Sequence, residues 1–567
     1  MSSAATEHPP ILRSYASAAL DRLAGWFFAL PPERSAYTLR PLTIPLPDGV
    51  SLAADLYWPD GALPQPLGLV LVQGCYGRAA PFSFTVRVLA ARGYAVLFVS
   101  TRGTFGSGGG LDPGRSEKAD AQEVVRWMRQ QSWYPGQFAT AGASYLSYTQ
   151  WALLHDPPED CIASAIIAGP HDYARHHWGT GSFRMDRITW SDALVRQEDA
   201  AATRLYSAVS QAIFGASDID NVLMGLPVAE RVKEHFGDEA PWLPKAMSAP
   251  DVCDPYWAPT RHQMALDKAT APILLVSGWY DPFAAQTLEQ YVRLRERGCS
   301  AALTVGPWTH VQAAGLKCMP DMIRFLDEHV ARTAADGEMH RGRAARIFVT
   351  GAEEWREMSA WPPATTSHEL YLHGDKSLTT ERPPVDAAPS SFTYDPADPT
   401  PTIGGVQLSN GGRVDDSIYA SRTDLLVFTG SLVEEEIEVL GKPAIRLAHS
   451  SDIPFVDLWI RLSEVNTAGV SHNICDAFQA LDPERDPSAP VQLTLQDCAH
   501  VFRRGTRIRL IIAGGSFPLF ARNLGTEGNR TVGSEMRAAR HTIQHMAGST
   551  KLVLPVAADG GDPTGAS

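Results

Sequence analysis

The stretch FATAGASYLS, residues 138–147, decides the fold. Its first six residues are an unbroken run of small and apolar side chains, the pattern of a strand buried on both faces of a parallel sheet. The run ends in Gly142-Ala143-Ser144 and a helical pattern follows. A small residue two before the serine lets the strand turn sharply into that helix and push the serine hydroxyl outward. Outward from this point the same kind of run recurs: LGLVLVQG (67–74), YAVLFVS (94–100), CIASAIIAG (161–169), PILLVSGWYD (272–281) and AALTVGPWTH (301–310). Helical patterns separate them. In ADAQEVVRWMRQQ (119–131) Ala121, Val124, Val125 and Met128 share one face, and in AAQTLEQYVRLRER (284–297) Ala284, Leu288, Tyr291 and Val292 do. A hairpin turning at Asp48-Gly49 precedes them within TIPLPDGVSLAADLYWP (43–59). Strand–helix alternation of this kind predicts an α/β doubly wound domain.

Two intervals depart from that rhythm. Between the strands at 161–169 and 272–281 the pattern is mainly helical, as in SDALVRQEDAAATRLYSAVSQAIF (191–214) and LPVAERVKEHF (226–236). An insertion there forms a cap over the strand ends, where open α/β sheets bind ligands. After Arg343 short strands separated by turn clusters replace the helices, and the stretch 374–424, rich in Pro, Thr, Ser and Asp, reads as long loops among them. That pattern predicts an all-β jelly roll. The expected organisation is an N-terminal extension over 1–40, a core from 41–170 and 262–343, a helical cap over 171–261 and a jelly-roll β-sandwich over 344–567. Within the extension, SYASAALDRLAGWFFAL (14–30) places Leu20, Leu23, Ala24, Phe27 and Phe28 at helical spacing, an amphipathic helix expected to dock on the body through them.

Acyl transfer needs an activated hydroxyl, an imidazole to take its proton and a carboxylate to orient the imidazole. In α/β-hydrolases they follow one another as serine, acid and histidine, each just beyond a strand end. Here Ser144 ends one apolar strand, Asp281 ends the first strand after the cap in SGWYD, and His310 ends the next in GPWTH. Each signal alone is weak, but three placements agree with the topology. The elbow departs from the usual pattern in lacking a second glycine, since Leu146 and Ser147 follow Tyr145.

The segments PDGVSLAADLYWP, TRGTFGSGG, GASYLSYTQW, GWYDPF, GPWTH, TGAEEWREMSAWPP, YDPADPTPTIGG and FPLFARNLGTEG resemble the cocaine-esterase-like (CocE/NonD) serine hydrolases. These are relatives of X-prolyl dipeptidyl peptidases and α-amino-acid ester hydrolases. The resemblance runs from about residue 41 to 555 and implies an α/β-hydrolase core, an inserted helical cap and a C-terminal jelly roll. It implies a Ser144, Asp281, His310 triad and an oxyanion hole made by the Tyr145 N–H and the Tyr76 hydroxyl. It also implies acyl-pocket aromatics at Trp178 and Phe283. Departures from the family pattern are Ser147 for glycine, Cys75 for proline and Ser100 for aspartate.

The implied activity is ester or amide hydrolysis through an acyl-enzyme. Relatives that bind a free α-amino group place carboxylates near the nucleophile, whereas GWYDPF offers only Asp281. Esterase therefore ranks above an X-Pro dipeptidyl-peptidase-type aminopeptidase or acylase, a ranking that Asp172, Asp186 or Asp192 of the cap would reverse by facing the serine. A catalytically inactive ligand-binding scaffold is the third reading.

Composition narrows the rest. The chain has 567 residues, 44% hydrophobic and 20% charged, so it is globular and multidomain. Forty-nine Lys and Arg against 63 Asp and Glu leave a net charge of −14, which argues against nucleic acid and anionic membrane surfaces as partners. Seven cysteines stand singly with no CxxC pair, and MSSAATEHPP shows no secretory signal, which points to free thiols in the cytoplasm. The glycine-rich stretch 103–110 lacks a GK[ST] ending, and His368-Glu369…His373 has the wrong spacing for a zinc helix. The adjacent His176 and His177 read as solvent-facing. No metal, no cofactor and no membrane span are expected. The expected partner is a small ester or amide, and a homodimer is left open.

Overall fold

The structure, a computed structural model, describes residues 9–60, 65–198, 217–332 and 345–558. Its first sheet has eleven strands: β1 (Ile11–Leu12), β2 (Ala36–Pro45), β3 (Ser51–Asp60), β4 (Leu69–Gly74), β5 (Ala95–Ser100), β6 (Phe138–Ala143), β7 (Cys161–Ile167), β8 (Ile273–Tyr280), β9 (Ala301–Thr309), β10 (Ala345–Val349) and β11 (Glu354–Met358). Their spatial order is β1-β2-β3-β5-β4-β6-β7-β8-β9-β10-β11. From β5 to β10 every neighbouring pair is parallel, and the pairs at both edges are antiparallel.

Both faces of this sheet are covered, which is why its central strands are apolar along their whole length. Every residue of β4, β5 and β8 is buried. One face packs Ala121, Val124, Val125 and Met128 of helix Glu117–Met128 together with Leu288 and Tyr291. The other packs Val86 and Leu89 against Met319, Met322 and Ile323 of helix Met319–Leu326. The chain reverses order beside β4, so the ends of β4 and β6 open on the crevice where such sheets place ligands.

The second half is an all-β domain built on a thirteen-stranded sheet. Leu372, Phe428, Leu447, Leu458, Ile460, Leu510 and Leu554 are among its core residues. The cap rests on this domain: the Met185 N–H donates to Leu519 O at 2.9 Å and the Ala521 N–H to Phe183 O at 2.8 Å. Of the expected helical strings, LPVAERVKEHF forms helix Val228–Phe236, whereas much of 191–214 lies outside the described residues. All seven cysteines are free thiols, six of them buried and Cys253 exposed. Among the described residues no helix is long and apolar enough to cross a membrane.

Two expectations need correction. The run RIFVTG (346–351) lies within the 344–567 span expected to be jelly roll, but as β10 it pairs in parallel with β9 and extends the first sheet. Periodicity recognises a strand without saying which sheet will accept it. The N-terminal helix, Tyr15–Phe27, docks through a different face from the one anticipated. Asp21 and Gly25 are buried, while Leu20, Leu23 and Phe27 are exposed. A network decides the orientation: the Asp21 carboxylate accepts from Arg13 at 2.9 Å, from Arg87 and from the Tyr37 hydroxyl. A carboxylate held by two guanidiniums goes inside and takes its helix face with it.

Candidate active site

Ser144 sits between the end of β6 and helix Tyr145–Leu154 with φ 58° and ψ −119°. A non-glycine residue in that left-handed region is strained, and strain of this kind persists only when the surroundings dictate it. Gly142 is part of what dictates it. A Cβ there would lie 2.5 Å from Leu146 Cβ and 2.8 Å from Leu146 O, so only glycine admits the turn of the following helix.

The missing second glycine is compensated on the neighbouring strand. Ser147 Oγ lies 2.8 Å from Gly142 O and 2.6 Å from Ile167 O, and accepts from the Ile167 N–H at 2.8 Å. The close approach that a glycine at 147 would allow is supplied by Gly169, where an added Cβ would stand 2.1 Å from Ser147 Cβ. The other two departures from the family pattern are also accommodated. Cys75 is fully buried and its carbonyl accepts from Gln197 Nε2 at 2.9 Å, while Ser100 Oγ accepts from Arg78 Nη1 at 2.5 Å.

Three strand ends bring the polar residues together. His310 Nε2 is 2.9 Å from Ser144 Oγ, and His310 Nδ1 is 2.9 Å from Asp281 Oδ1. Asp281 is 1% exposed and its remaining acceptor capacity is filled: the Phe283 N–H donates to Oδ1 at 3.1 Å and the Ser277 hydroxyl to Oδ2 at 2.7 Å. Held from three directions, this carboxylate fixes the imidazole with one nitrogen toward itself and the other toward the serine. A buried Asp–His–Ser relay of this geometry can move a proton from the hydroxyl and hold the resulting imidazolium.

Tyr145 is the first residue of its helix, so its N–H is one of the amide donors without an intrahelical acceptor. Its side chain is buried, with the hydroxyl donating to Glu117 and accepting from the Gly114 N–H at 3.0 Å. Burial pushes Glu117 up to about 7, against the opposing pull of its hydrogen bonds from Tyr145 and backbone amides. Tyr76 follows β4, and its hydroxyl accepts from Trp190 Nε1 at 3.0 Å. Burial, with Cys75 beside it, raises the Tyr76 phenol above its usual value, so it carries its proton at neutral pH.

The expected acyl-pocket aromatics separate. Phe283 lies edge-on to the His310 ring with centroids 5.3 Å apart. Trp178 instead packs on Phe183 in the cap and donates its Nε1 to Ala246 O at 2.8 Å. The indole beside the site is Trp190, stacked on Tyr145 at 5.9 Å and bonded to Tyr76. His176 and His177 are not solvent-facing. Both are buried, and burial drives both imidazoles well below their usual value and keeps them neutral. His176 packs on Phe283 with centroids 4.7 Å apart. Trp190, His176 and Arg187 are cap residues that the sequence reading did not connect with the serine. The one signal it held was the aromatic and basic density of 173–190.

The three cap carboxylates all have other partners. Asp172 caps the helix Tyr173–Trp178 and accepts from the Arg175 N–H at 3.1 Å. Asp186 holds Arg184 at 2.6 Å, and Asp192 holds Arg196 at 2.9 Å and His235 at 2.7 Å. Among the described residues no group of three or more His, Cys, Asp and Glu side chains is placed to hold a metal ion.

Comparison with known proteins places this architecture. The profile for X-Pro dipeptidyl-peptidase (S15 family) matches residues 48–312, the span that holds Ser144, Asp281 and His310, and the X-Pro dipeptidyl-peptidase C-terminal non-catalytic domain matches residues 339–554. The two matches together span most of the chain, an S15-type hydrolase domain followed by the C-terminal domain of X-Pro dipeptidyl-peptidases. A relative, the cocaine esterase of Rhodococcus sp. (strain MB1 Bresler), is 28% identical over 543 residues, covering 86% of this chain and 92% of its own. Among solved structures, an α-amino acid ester hydrolase superposes with a TM-score of 0.78 at 20% identity, covering 92% of this chain and 97% of its own. An aminopeptidase from a marine sediment Thaumarchaeota archaeon gives 0.76 at 21%, covering 92% and 96%. These two likenesses establish the shared fold: an α/β-hydrolase-like half followed by an all-β half.

Proposed function

We propose that this hydrolase cleaves esters through an acyl-enzyme formed on Ser144. His310 Nε2 takes the Ser144 proton as Oγ attacks the ester carbonyl. The Tyr145 N–H and the Tyr76 O–H hold the oxyanion. His310 then gives the proton to the departing alkoxide, and water deacylates the serine by the same route in reverse, releasing the acid. Asp281 keeps the imidazole in the required tautomer and offsets its charge. The observation that carries this reading is the pair of 2.9 Å contacts, Asp281 to His310 to Ser144, made at a strained strand–helix turn.

Ester hydrolysis is preferred to amino-terminal peptide cleavage on electrostatic grounds. A substrate ammonium needs a free carboxylate, and Asp172, Asp186 and Asp192 are all engaged in caps and ion pairs. Arg184 and Arg187 of the cap both act electrostatically on His176, which packs on Phe283, and with Asp186 already paired to Arg184 the uncompensated Arg187 charge would oppose a cation there. Esterase is also the activity in the name of the cocaine esterase relative.

Labelling with a fluorophosphonate tests the nucleophile, and Ser144→Ala should lose both the label and ~10⁴–10⁶ in kcat. Wild-type turnover by Ser144→Ala would remove the assignment. Comparing kcat/KM on neutral p-nitrophenyl esters with that on X-Pro anilides tests the substrate class. A preference for the anilides would overturn the esterase reading.

A further inference from the structure

The N-terminal helix Tyr15–Phe27 turns its apolar stripe to solvent. With 3.6 residues per turn, Tyr15, Ala19, Leu20, Leu23, Trp26 and Phe27 fall within an arc of about 140°. Leu23 stands opposite the buried Asp21 and Gly25. All six are exposed, Tyr15 by 98%, Trp26 by 80% and Phe27 by 73%. The edge strand β1 just before the helix exposes Ile11 and Leu12 as well. Polar contacts hold the inner side: Asp21 pairs with Arg13 and Arg87, and Glu33 pairs with Arg13 at 2.6 Å and with Arg22 at 3.0 Å. Rolling the rings inward would break these ion pairs.

Such a surface is too large to stand bare. An aromatic side chain buries about 150–250 Å² when enclosed, so at their exposures these three rings alone offer roughly 500 Å². Leu20, Leu23, Ile11 and Leu12, each more than half exposed, add to that. The largest apolar patch on a typical monomer is about 300–600 Å², whereas a stable interface takes about 800 Å² from each partner. The helix lies before residue 48, where the S15 match begins, and contributes nothing to the catalytic site.

The chemistry of the stripe selects its occupant. Helices that lie on a lipid surface carry a polar face rich in Lys and Arg. Here Arg22 is the one cation of the helix, Glu33 already holds it, and the chain carries a net charge of −14. A two-fold interface instead sets a patch against its own copy, where charge would repel and an uncharged apolar stripe is self-complementary. Ala16 and Ala19, small and exposed, let two such helices approach closely.

We propose that helix Tyr15–Phe27 is a dimerisation surface on which a second copy of this chain seats the same helix about a two-fold axis. Tyr15, Trp26 and Phe27 are its aromatic anchors, and Leu23 lies along its centre.

Sedimentation velocity on the full chain tests this, with wild type compared to Leu23→Lys/Trp26→Lys. Wild type should sediment at twice the 61.6 kDa of one chain at about 10 μM. Both substituted side chains are exposed, so hydrolysis of a p-nitrophenyl ester should persist in the double variant. Its Kd for self-association should rise ~100-fold or more, the scale of a hot-spot aromatic and its neighbour. A wild type still monomeric at about 100 μM overturns the proposal. A double variant that dimerises as tightly as wild type also overturns it, by moving the contact to another surface. If wild type is monomeric and floats with phosphatidylcholine vesicles while the double variant does not, the occupant is a lipid surface and the proposal falls. Should the double variant lose turnover as well, the milder Leu23→Ser decides. With turnover intact its Kd should rise ~10-fold, and an unchanged Kd overturns the proposal.

Discussion

Tyr76→Phe removes one oxygen and keeps the ring, which separates a catalytic role for the hydroxyl from a structural one. In the wild type that hydroxyl accepts from Trp190 Nε1 at 3.0 Å, which leaves its own hydrogen for a different acceptor. The ring stacks on Phe82 at 5.0 Å and meets Tyr145 edge-on at 6.2 Å, and phenylalanine retains both contacts. Losing one preorganised donor from an oxyanion hole costs about 3–4 kcal/mol at the transition state, so kcat should fall ~10²–10³-fold while KM stays near wild type. The same substitution leaves the Trp190 N–H without its acceptor, which should cost a further ~1–3 kcal/mol of folding stability. The two losses can be pulled apart. In Tyr76→Phe/Trp190→Phe the orphaned donor is gone, so much of the stability should return while kcat does not. Steady-state hydrolysis of a p-nitrophenyl ester, with urea denaturation of each variant, measures both. A kcat within ~10-fold of wild type for Tyr76→Phe would refute the donor role, because losing one preorganised oxyanion donor typically costs ~10²–10³. Recovery of kcat together with stability in the double variant would refute it too, and would assign the whole effect to misplacement of Trp190.

Two further outcomes are expected. Glu117, raised to about 7 by burial, binds its proton more tightly in the folded protein than in the unfolded chain, so its contribution to stability falls as pH rises from the ordinary glutamate range to about 7. Glu117→Gln cannot ionise and should therefore gain on wild type across that window, by up to ~3 kcal/mol at pH 8, and a variant-minus-wild-type difference in urea denaturation that is flat with pH would contradict the assignment. At the elbow, Gly169→Ala forces a Cβ against that of Ser147, 2.1 Å away, and should destabilise by ~1–3 kcal/mol or more. Adding Ser147→Gly should restore part of the lost Tm, and a double variant no more stable than Gly169→Ala alone would show that the two residues do not share one space.

The parts of this protein that were legible in its sequence are those where local pattern and position carry the chemistry together. Strands buried on both faces are apolar along their length, so β4, β5 and β8 stood out. In a sheet of this handedness the strand ends gather on one edge, so Ser144, Asp281 and His310 could be placed there without knowing a single distance. Pairing partners are different. RIFVTG reads equally well as a strand of either sheet, and only β9, contributed from a separate part of the chain, decides where it goes. The N-terminal helix was misoriented for a related reason. Its apolar spacing was real, but burial went to Asp21, whose partners Arg13 and Arg87 lie outside the helix, one of them 66 residues away in the sequence. An amphipathic pattern predicts which residues share a face; it does not predict that an ion pair will outweigh them.

The cap shows the same limit at the site itself. Trp178 and Trp190 lie on neighbouring short helices, both are buried, and both use Nε1 as a donor, one to a cap carbonyl and one to Tyr76. Nothing in their local sequence separates these fates, because the choice depends on how the cap meets the sheet and the all-β domain. Ser147 makes the complementary point. As an isolated departure from a glycine pattern it looked like a defect in the elbow. Opposite Gly169 it becomes a hydroxyl that bridges β6 and β7, because the space that one strand fills the other leaves open. The constraint on the nucleophile is therefore a sum over two strands. A motif read along one of them records only half of it, and substitutions at 147 and 169 should be judged as a pair.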